Sequence, residues 1–353
     1  MFKIVDWYLA RTLLGTTFLS LSVLVGLSSL ISFIEQLKKV GTGNYDLTVA
    51  AIYVFLSMPR EIEQFFPMAT LIGGLTGMGM LASSSELTVM QASGLSRWNI
   101  IMSAMKSALV MVLFVMALGE WVAPTTEAKA KEIRAQAISG GSLFATDRLT
   151  WAKDGDKFVS IGEVIDKDTL RDITVYEFDE QRRLTQITVA KEAHFDNDAW
   201  RLERVRFTKI NGRVTTTSKY ESQWVSTLTP DKLGVVTVKP EALSISGLND
   251  YIQYLNNNGQ DSSRYTLAYW RKLLQPISVG VMLLMALSFV FGPLRSVTMG
   301  ARIIMGVLTG FGFFISNEVF GPLSLVYQVP PFLGALLPSV VFAFVAMQLL
   351  KRQ

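Results

Sequence analysis

The chain has 353 residues, half of them hydrophobic, with 33 basic and 29 acidic side chains and a formal net charge of +4. So small a balance, with the basic residues spread over segment ends, excludes a nucleic-acid-binding stripe. The lack of cysteine excludes disulfides and thiolate metal centres. Several apolar runs approach the ~20 residues needed to cross the hydrocarbon of a bilayer.

The first predicted span is 7–34. Trp7 and Tyr8 set aromatic rings at headgroup depth, Arg11 can snorkel, and Glu35, Lys38 and Lys39 close the far end. The run is too long for the apolar core of a cleavable signal peptide. Residues 47–58 are apolar but, at about 12 residues, too short to cross. Pro59 stops them and Arg60, Glu61 and Glu63 follow, so the stretch reads as an interfacial segment ahead of a second span at 65–82. That span contains Gly73, Gly74, Gly77 and Gly79, and the 73/77 spacing is the GxxxG pattern of closely packed helices. A phosphate-cradling loop is the poorer reading, because no GK[ST] follows. Residues 83–97 are polar enough to leave the membrane. A third span covers 100–122, and a charged helix continues beyond Pro124 through Glu127 to Arg134.

From about 140 to 240 the period changes. Strand-length runs at 158–161, 173–178, 184–190, 200–207 and 214–220 alternate with turn signals: Lys153-Asp154-Gly155-Asp156, Asp179-Glu180-Gln181, Asp196-Asn197-Asp198 and Asn211-Gly212. Strands at this spacing with no helix between them predict an antiparallel sandwich or jelly roll. In Trp200, Leu202, Val205 and Phe207 the alternation slips by one residue, as a β-bulge would make it. A helix at 246–257, capped by Ser246 and ended by Gly259, leads back to spans at 273–292, 303–320 and 332–350.

Six spans put both termini on one side. That side carries Lys3, Arg11, Arg97, Arg295, Arg302, Lys351 and Arg352, against Lys38, Lys39 and Arg60 opposite. The positive-inside rule then places the termini in the cytoplasm and the β domain outside. The expected fold is an α+β membrane protein with a β domain inserted between two sets of three helices.

Ser84 to Gly94 is the foremost functional candidate. A serine cap, Glu86 in the first turn, Leu87 and Met90 three apart and a glycine stop describe one short helix at about 84–93. Lying between two spans on the cytoplasmic side, it fits a helix presented to an ATPase groove; the plainer reading is a capped loop. Lys38 and Lys39 suit anionic headgroups, or pair with Glu35 on an ordinary helix end. Arg134 is a solvated helix residue or a cargo contact. Asn317 and Glu318, near the rim of the fifth span, favour local pairing over an ion site. His194, the single histidine, has no matching second ligand nearby in the sequence and reads as a packed or surface residue. The apolar faces of spans one and five suit either a lipid groove or helix packing. Walker A, HExxH and GxSxG motifs are all missing, and no deep ionisable cluster is legible, so neither ATP hydrolysis nor other catalysis is expected of this chain.

Long stretches in the same order resemble the LptF/LptG permeases of the lipopolysaccharide exporter. They are Gln36-Leu37-Lys38-Lys39, Ser85-Glu86-Leu87 with Met90-Gln91-Ala92-Ser93-Gly94, Gly119-Glu120-Trp121-Val122-Ala123-Pro124 and Arg134-Ala135-Gln136. Leu228-Thr229-Pro230-Asp231-Lys232-Leu233-Gly234, Leu243-Ser244-Ile245-Ser246-Gly247-Leu248 and Phe291-Gly292-Pro293-Leu294-Arg295-Ser296 complete the set, which spans essentially the whole chain. The resemblance implies transmembrane helices at 1–130 and 266–353 around a periplasmic β-jellyroll at 131–265, in a bacterial inner membrane. It implies a heterodimer with LptF, two copies of the ATPase LptB, which uses the ATP, and LptC. No cofactor is implied for this chain itself. The cargo implied is lipopolysaccharide, passed to a jellyroll bridge. Glu86 falls on the acidic residue of the coupling helix, flanked by Leu87 and Met90. Lys38, Lys39 and Arg134 fall on the cargo side, the lysines on the patch that meets lipid A phosphates. Relatives can carry a further lysine where this chain has Ser32. The rival readings are a non-transport envelope scaffold and a lipid-modifying membrane enzyme.

Overall fold

The computed structural model describes residues 4–139, 150–166, 168–179, 181–196, 199–211, 213–230, 240–292 and 297–351. Outside them lie Lys3, Glu180, Asn197, Asp198, Gly212, Asp231 to Gly234, Pro293 to Ser296 and Arg352.

Helix α1 (Ile4–Leu37) is followed by α2 (Leu47–Ser83), the short α3 (Glu86–Ala92) and α4 (Arg97–Ala117). A π-helical segment (Leu118–Val122) carries α4 into α5 (Ala123–Ser139). After the sheet come α6 (Ile245–Asn257), α7 (Ser263–Leu273), α8 (Gln275–Phe291), α9 (Met299–Val326) and α10 (Pro331–Lys351). Among the described residues five helical paths are long and apolar enough to cross a membrane, and six if α7 and α8 form one span bent by 51°. Pro276, in the first turn of α8, supplies no backbone donor and allows the break.

The expected stop at Pro59 is not there. Residues 47–83 are one helix with Pro59 and Pro67 inside it, capped by Asp46, whose carboxylate accepts the Val49 N–H at 2.8 Å. Inside protein a proline is tolerated when the carbonyl it strands finds another donor. Pro67 frees the carbonyl of Glu63, and the Gln275 side-chain amide donates to it at 3.0 Å.

Helix α2 is the hub of the bundle. Lipid gives no hydrophobic drive between helices, so close approach and hydrogen bonds must hold them. A Cβ at Gly73 would lie 2.5 Å from the Thr17 Cα, and one at Gly74 2.9 Å from Ala286 and Leu283. The Thr16 hydroxyl donates to the Gly73 carbonyl at 2.7 Å. The GxxxG pair therefore packs α2 on α1, while α8 fills the next face. Leu71 and Leu75 are wholly buried against Gly310 and Gly306 of α9, and Met78 is wholly buried in the same core.

Six antiparallel strands pair strictly in sequence order: β1 (Thr150–Asp154), β2 (Lys157–Asp166), β3 (Thr169–Phe178), β4 (Leu184–Asp196), β5 (Ala199–Asn211) and β6 (Arg213–Trp224). Over the described residues the inserted β domain is thus one antiparallel sheet with each strand beside its sequence neighbour. The five predicted runs lie within longer strands, and β1 is additional. The slip in β5 is not a bulge with shifted pairing. Glu203 faces Glu221 and Val205 faces Lys219, so register holds across Arg204, which takes φ 53°. Asp172 in β3 has φ 52°, and a Cβ on the neighbouring Gly162 of β2 would lie 2.9 Å from its Cβ. A line through Gly162, Asp172 and Arg204 thus reverses which side chains face inward. Ile161, Ile173 and Val205 are buried on one side of it, and Val164, Leu170 and Leu202 on the other.

Helix α6 covers this core with Tyr251, Tyr254 and Leu255. Burial pushes the Tyr251 phenol above its ordinary range and that of Tyr254 up to about 12. The cap of α6 is Ser244, not the expected Ser246; its hydroxyl accepts the Gly247 N–H at 3.0 Å. Around β1, the Tyr254 hydroxyl donates to the Lys153 carbonyl at 2.6 Å and the Thr227 hydroxyl to Asp154 at 2.6 Å. Trp200, fully buried, donates its indole N–H to the Leu228 carbonyl at 2.7 Å. The described inner face of the sheet is thus packed with side chains.

Candidate functional site: a short helix at one end and a basic rim at the other

The N-terminal end of α1 and the short helix α3 meet. Tyr8 donates its hydroxyl to Glu86 at 2.6 Å, and Ser84 donates to the other carboxylate oxygen at 2.9 Å. The Tyr8 bond first, then that from Ser84, holds the Glu86 carboxyl below the usual carboxylate range. The serine cap takes another form than expected: Ser85 precedes the helix at φ 63° and its side chain makes no capping bond. Gly94, at φ 94°, does end it as read. Leu87 is buried and Met90 packs half-buried on the bundle core. These two side chains anchor α3 to the bundle core. The exposed face is Thr88, Val89 and Ala92, with Glu86 at its edge.

The rest of this end is stapled. Lys106 of α4 pairs with the buried Asp6 at 3.1 Å. The buried Arg302 of α9 donates to the Gly79 carbonyl of α2 at 2.5 Å.

At the far end of α1, about 45 Å away by helical rise, the loop before α2 lies on α5. Asn44 donates its N–H to the Ala137 carbonyl at 2.7 Å. That contact brings Lys39 beside Arg134. Arg134 stacks its guanidinium 5.3 Å from the centre of the Tyr53 ring. Burial, and then the Arg134 charge, pull the Lys39 ammonium below the ordinary lysine range, against a smaller opposing pull from Glu35. Among the described residues no carboxylate lies within 4.0 Å of Lys38, Lys39 or Arg134, so the ion pair with Glu35 is not made. Lys39 and Arg134 form one patch, while Lys38 is fully on the surface. Ser32 donates to Glu61 at 3.2 Å and Ser29 to the same carboxylate at 3.1 Å. A cavity of about 220 Å³ between α1 and α2, lined by Ser32, Glu35, Tyr53, Arg60 and Glu61, adjoins this rim.

Two expectations change here. A buried ion pair, Lys272 to Glu63 at 2.7 and 2.9 Å, joins α7 to α2, where no such cluster was legible. Glu63 reads locally as the tail of a polar loop, and only the continuity of α2 through Pro59 reveals it. His194 also has neighbours from other positions: Glu192 at 4.0 Å, Glu203 at 3.9 Å and the Thr169 hydroxyl at 3.4 Å. Arg204 already holds Glu192 at 3.1 Å, so the group is a surface ion network. Glu318 pairs locally with Arg271 at 3.7 Å, as expected, beside a cavity of about 460 Å³ between α2, α7 and α9. Along α1 and α9, Phe18, Leu19, Leu27, Ile31, Leu308 and Phe311 remain exposed.

A bundle with apolar outer faces, an inserted extramembrane sheet, a small helix displayed at one end and cations gathered at the other defines a multi-pass membrane permease. The Lipopolysaccharide export system permease LptF/LptG family matches residues 7–352, and the chain belongs to it. It is 49% identical to the lipopolysaccharide export system permease protein LptG of Escherichia coli K12, over 100% of this chain and 99% of that protein. With the LptG of Haemophilus influenzae it shares 47% over the same extent. The LptF of Escherichia coli K12 is 26% identical over 47% of this chain and 46% of its own length.

Proposed function

We propose that this chain is the LptG-type permease subunit of a lipopolysaccharide exporter of the bacterial inner membrane, with its termini in the cytoplasm and its β domain in the periplasm. Its partner permease is LptF. A separate ATPase, LptB, docks on the face of α3 and uses the ATP, LptC joins at the membrane, and this chain binds no cofactor. The observation that carries the reading is the Lys39–Arg134 patch at the rim of apolar helix α1. Two cations held together without a carboxylate suit an anion, and a rim of lowered dielectric strengthens its hold on a lipid phosphate. Acyl chains then lie against the exposed faces of α1 and α9.

Closure at the Glu86 end travels along α1 and α2, which are locked by the Gly73 and Gly77 contacts, and narrows that groove as a rigid-body change. The glycolipid then leaves toward the sheet. Because the described inner face of the sheet is packed, its acyl chains follow another surface or a rearranged sheet.

The test is a photo-crosslinking residue at Leu37 or Val40, exposed beside the patch, in the whole exporter. Glycolipid adducts are expected at both, to be lost on Lys39→Glu with Arg134→Glu and on ATP-driven release. Undiminished adducts in that double variant would remove the patch from the cargo path. Glu86→Lys is expected to weaken ATPase association or coupling; normal assembly and release would remove α3 from the route.

A further inference from the structure

The Gly119-Glu120-Trp121 stretch has no part in the reading above, yet it sits where the bundle meets the β domain. It belongs to the π-helical segment that joins α4 to α5. Such segments commonly mark functional positions, because the extra residue they absorb redirects a side chain. Glu120 reaches the N-terminus of α6. One of its oxygens accepts the Ile245 N–H at 2.7 Å, and the other accepts the Ser246 N–H at 3.2 Å and the Ser246 hydroxyl at 2.7 Å. A helix start has four backbone donors without partners. The capping Ser244, just ahead of α6, takes one, and a carboxylate 125 positions upstream in the chain takes two more.

Each side of this contact is packed into its own part of the molecule. On one, α6 is built into the sheet core through Tyr251, Tyr254 and Leu255. On the other, Gly119 lies against the Glu63 carboxylate, so that a Cβ there would fall 2.7 Å from its carbon, and Glu63 is in turn bound by Lys272. The middle of α2, the far end of α4 and the end of α7 therefore converge on one point, and Glu120 links that point to the sheet.

We propose that Glu120 is a positioning residue: a clasp that fixes the orientation of the β domain on the bundle, so that motion of mid-α2 and of the adjoining ends of α4 and α7 turns the sheet. Its part in delivery rests on the permease reading; its part in orientation does not. Charge-assisted bonds suit this, being short and directional.

The chain has no cysteine, so two introduced cysteines can be labelled alone. Val214→Cys on β6 and Tyr327→Cys after α9 replace exposed side chains, and pulsed electron resonance between spin labels there reads the sheet-to-bundle distance. The experiment uses the whole exporter, with Glu120→Ala, Glu120→Gln and Ser246→Ala. The distance distribution is expected to widen in the order Ser246→Ala, Glu120→Gln, Glu120→Ala. Glycolipid delivery is expected to fall about tenfold in Glu120→Ala, as for the loss of one charged hydrogen bond, with ATPase turnover kept. An unchanged width in Glu120→Gln and Glu120→Ala overturns the clasp. So does a widening confined to samples that have lost ATPase turnover, since general damage then explains it; Ser246→Ala, which keeps the carboxylate, guards against that case. If the unmodified exporter delivers no glycolipid, the permease reading fails while the distance measurement still decides the clasp.

Discussion

Replacing Lys272 by methionine tests what holds the half of the bundle nearer the sheet. The methionine keeps most of the apolar stem and removes only the charge, so packing loss is small. Glu63 then keeps its carboxylate against Gly119 and loses both short bonds from the ammonium. Breaking a buried pair by removing one partner costs about 3–5 kcal/mol, because the remaining charge is left uncompensated. An exposed pair such as Lys129–Glu132 on α5 is worth only about 0–1 kcal/mol. Adding Glu63→Gln to Lys272→Met removes the stranded charge and returns stability to within about 1 kcal/mol of the parent. Reversible unfolding in mixed micelles, titrated with a denaturing detergent, gives the four corners of the double-mutant cycle. A coupling of about 3 kcal/mol is expected. A single variant costing under about 1 kcal/mol, or a double variant no better than the single, would refute the assignment of Glu63 as a charge held by Lys272.

Gly73→Ala is expected to cost about 1–3 kcal/mol in the same titration, because its Cβ would meet Thr17 backbone atoms that cannot move aside alone. Gly15→Ala, with nothing within 4 Å, serves as the neutral control. Tyr8→Phe removes the leading cause of the lowered Glu86 carboxyl. A carboxyl depressed in the folded state adds stability above its unfolded value and loses it as pH falls through the folded one. The loss should therefore move to higher pH in Tyr8→Phe, seen as an earlier carboxylate-stretch change in an infrared acid titration referenced to Glu86→Gln. Lys39 is displaced the other way for a base: its charge costs the folded state something until the ammonium deprotonates below the ordinary lysine range. A vesicle bearing a phosphate-headed lipid should bind less as pH rises into that range, and Lys39→Arg should flatten the profile. Trp200→Phe leaves the buried Leu228 carbonyl without its donor and is expected to destabilise the β domain by about 1–3 kcal/mol, read by hydrogen exchange of the sheet amides.

The sequence carried the span count and the antiparallel strands well, because both are set by periodicity. It also carried the 73/77 glycine pair, since only close packing asks for that spacing. What it hid depends on distant partners. Pro59 reads as a stop when nothing shows that α2 continues between neighbouring helices. Glu63 reads as a loop acid when Lys272 is out of view. The Ser246 hydroxyl looks like a cap by position, but Glu120 claims it, and Ser244 does the capping. The slip in β5 was legible as an irregularity; its cause was not, because a residue in the left-handed region that keeps its pairing leaves the same trace as an inserted one. Lys39 and Arg134 stood as separate candidates, and only the docking of the α1–α2 loop on α5 makes them one patch.

The strict neighbour-to-neighbour pairing of the strands bears on how the chain matures. Each hairpin can zip once its second strand has been made and has reached its compartment, whereas Glu63 waits for a lysine 209 positions further on. During synthesis the sheet settles early and the membrane half settles late. A truncated or stalled product would thus carry a paired sheet on an unfinished helical anchor, with the Glu63 carboxylate still lacking its ammonium partner.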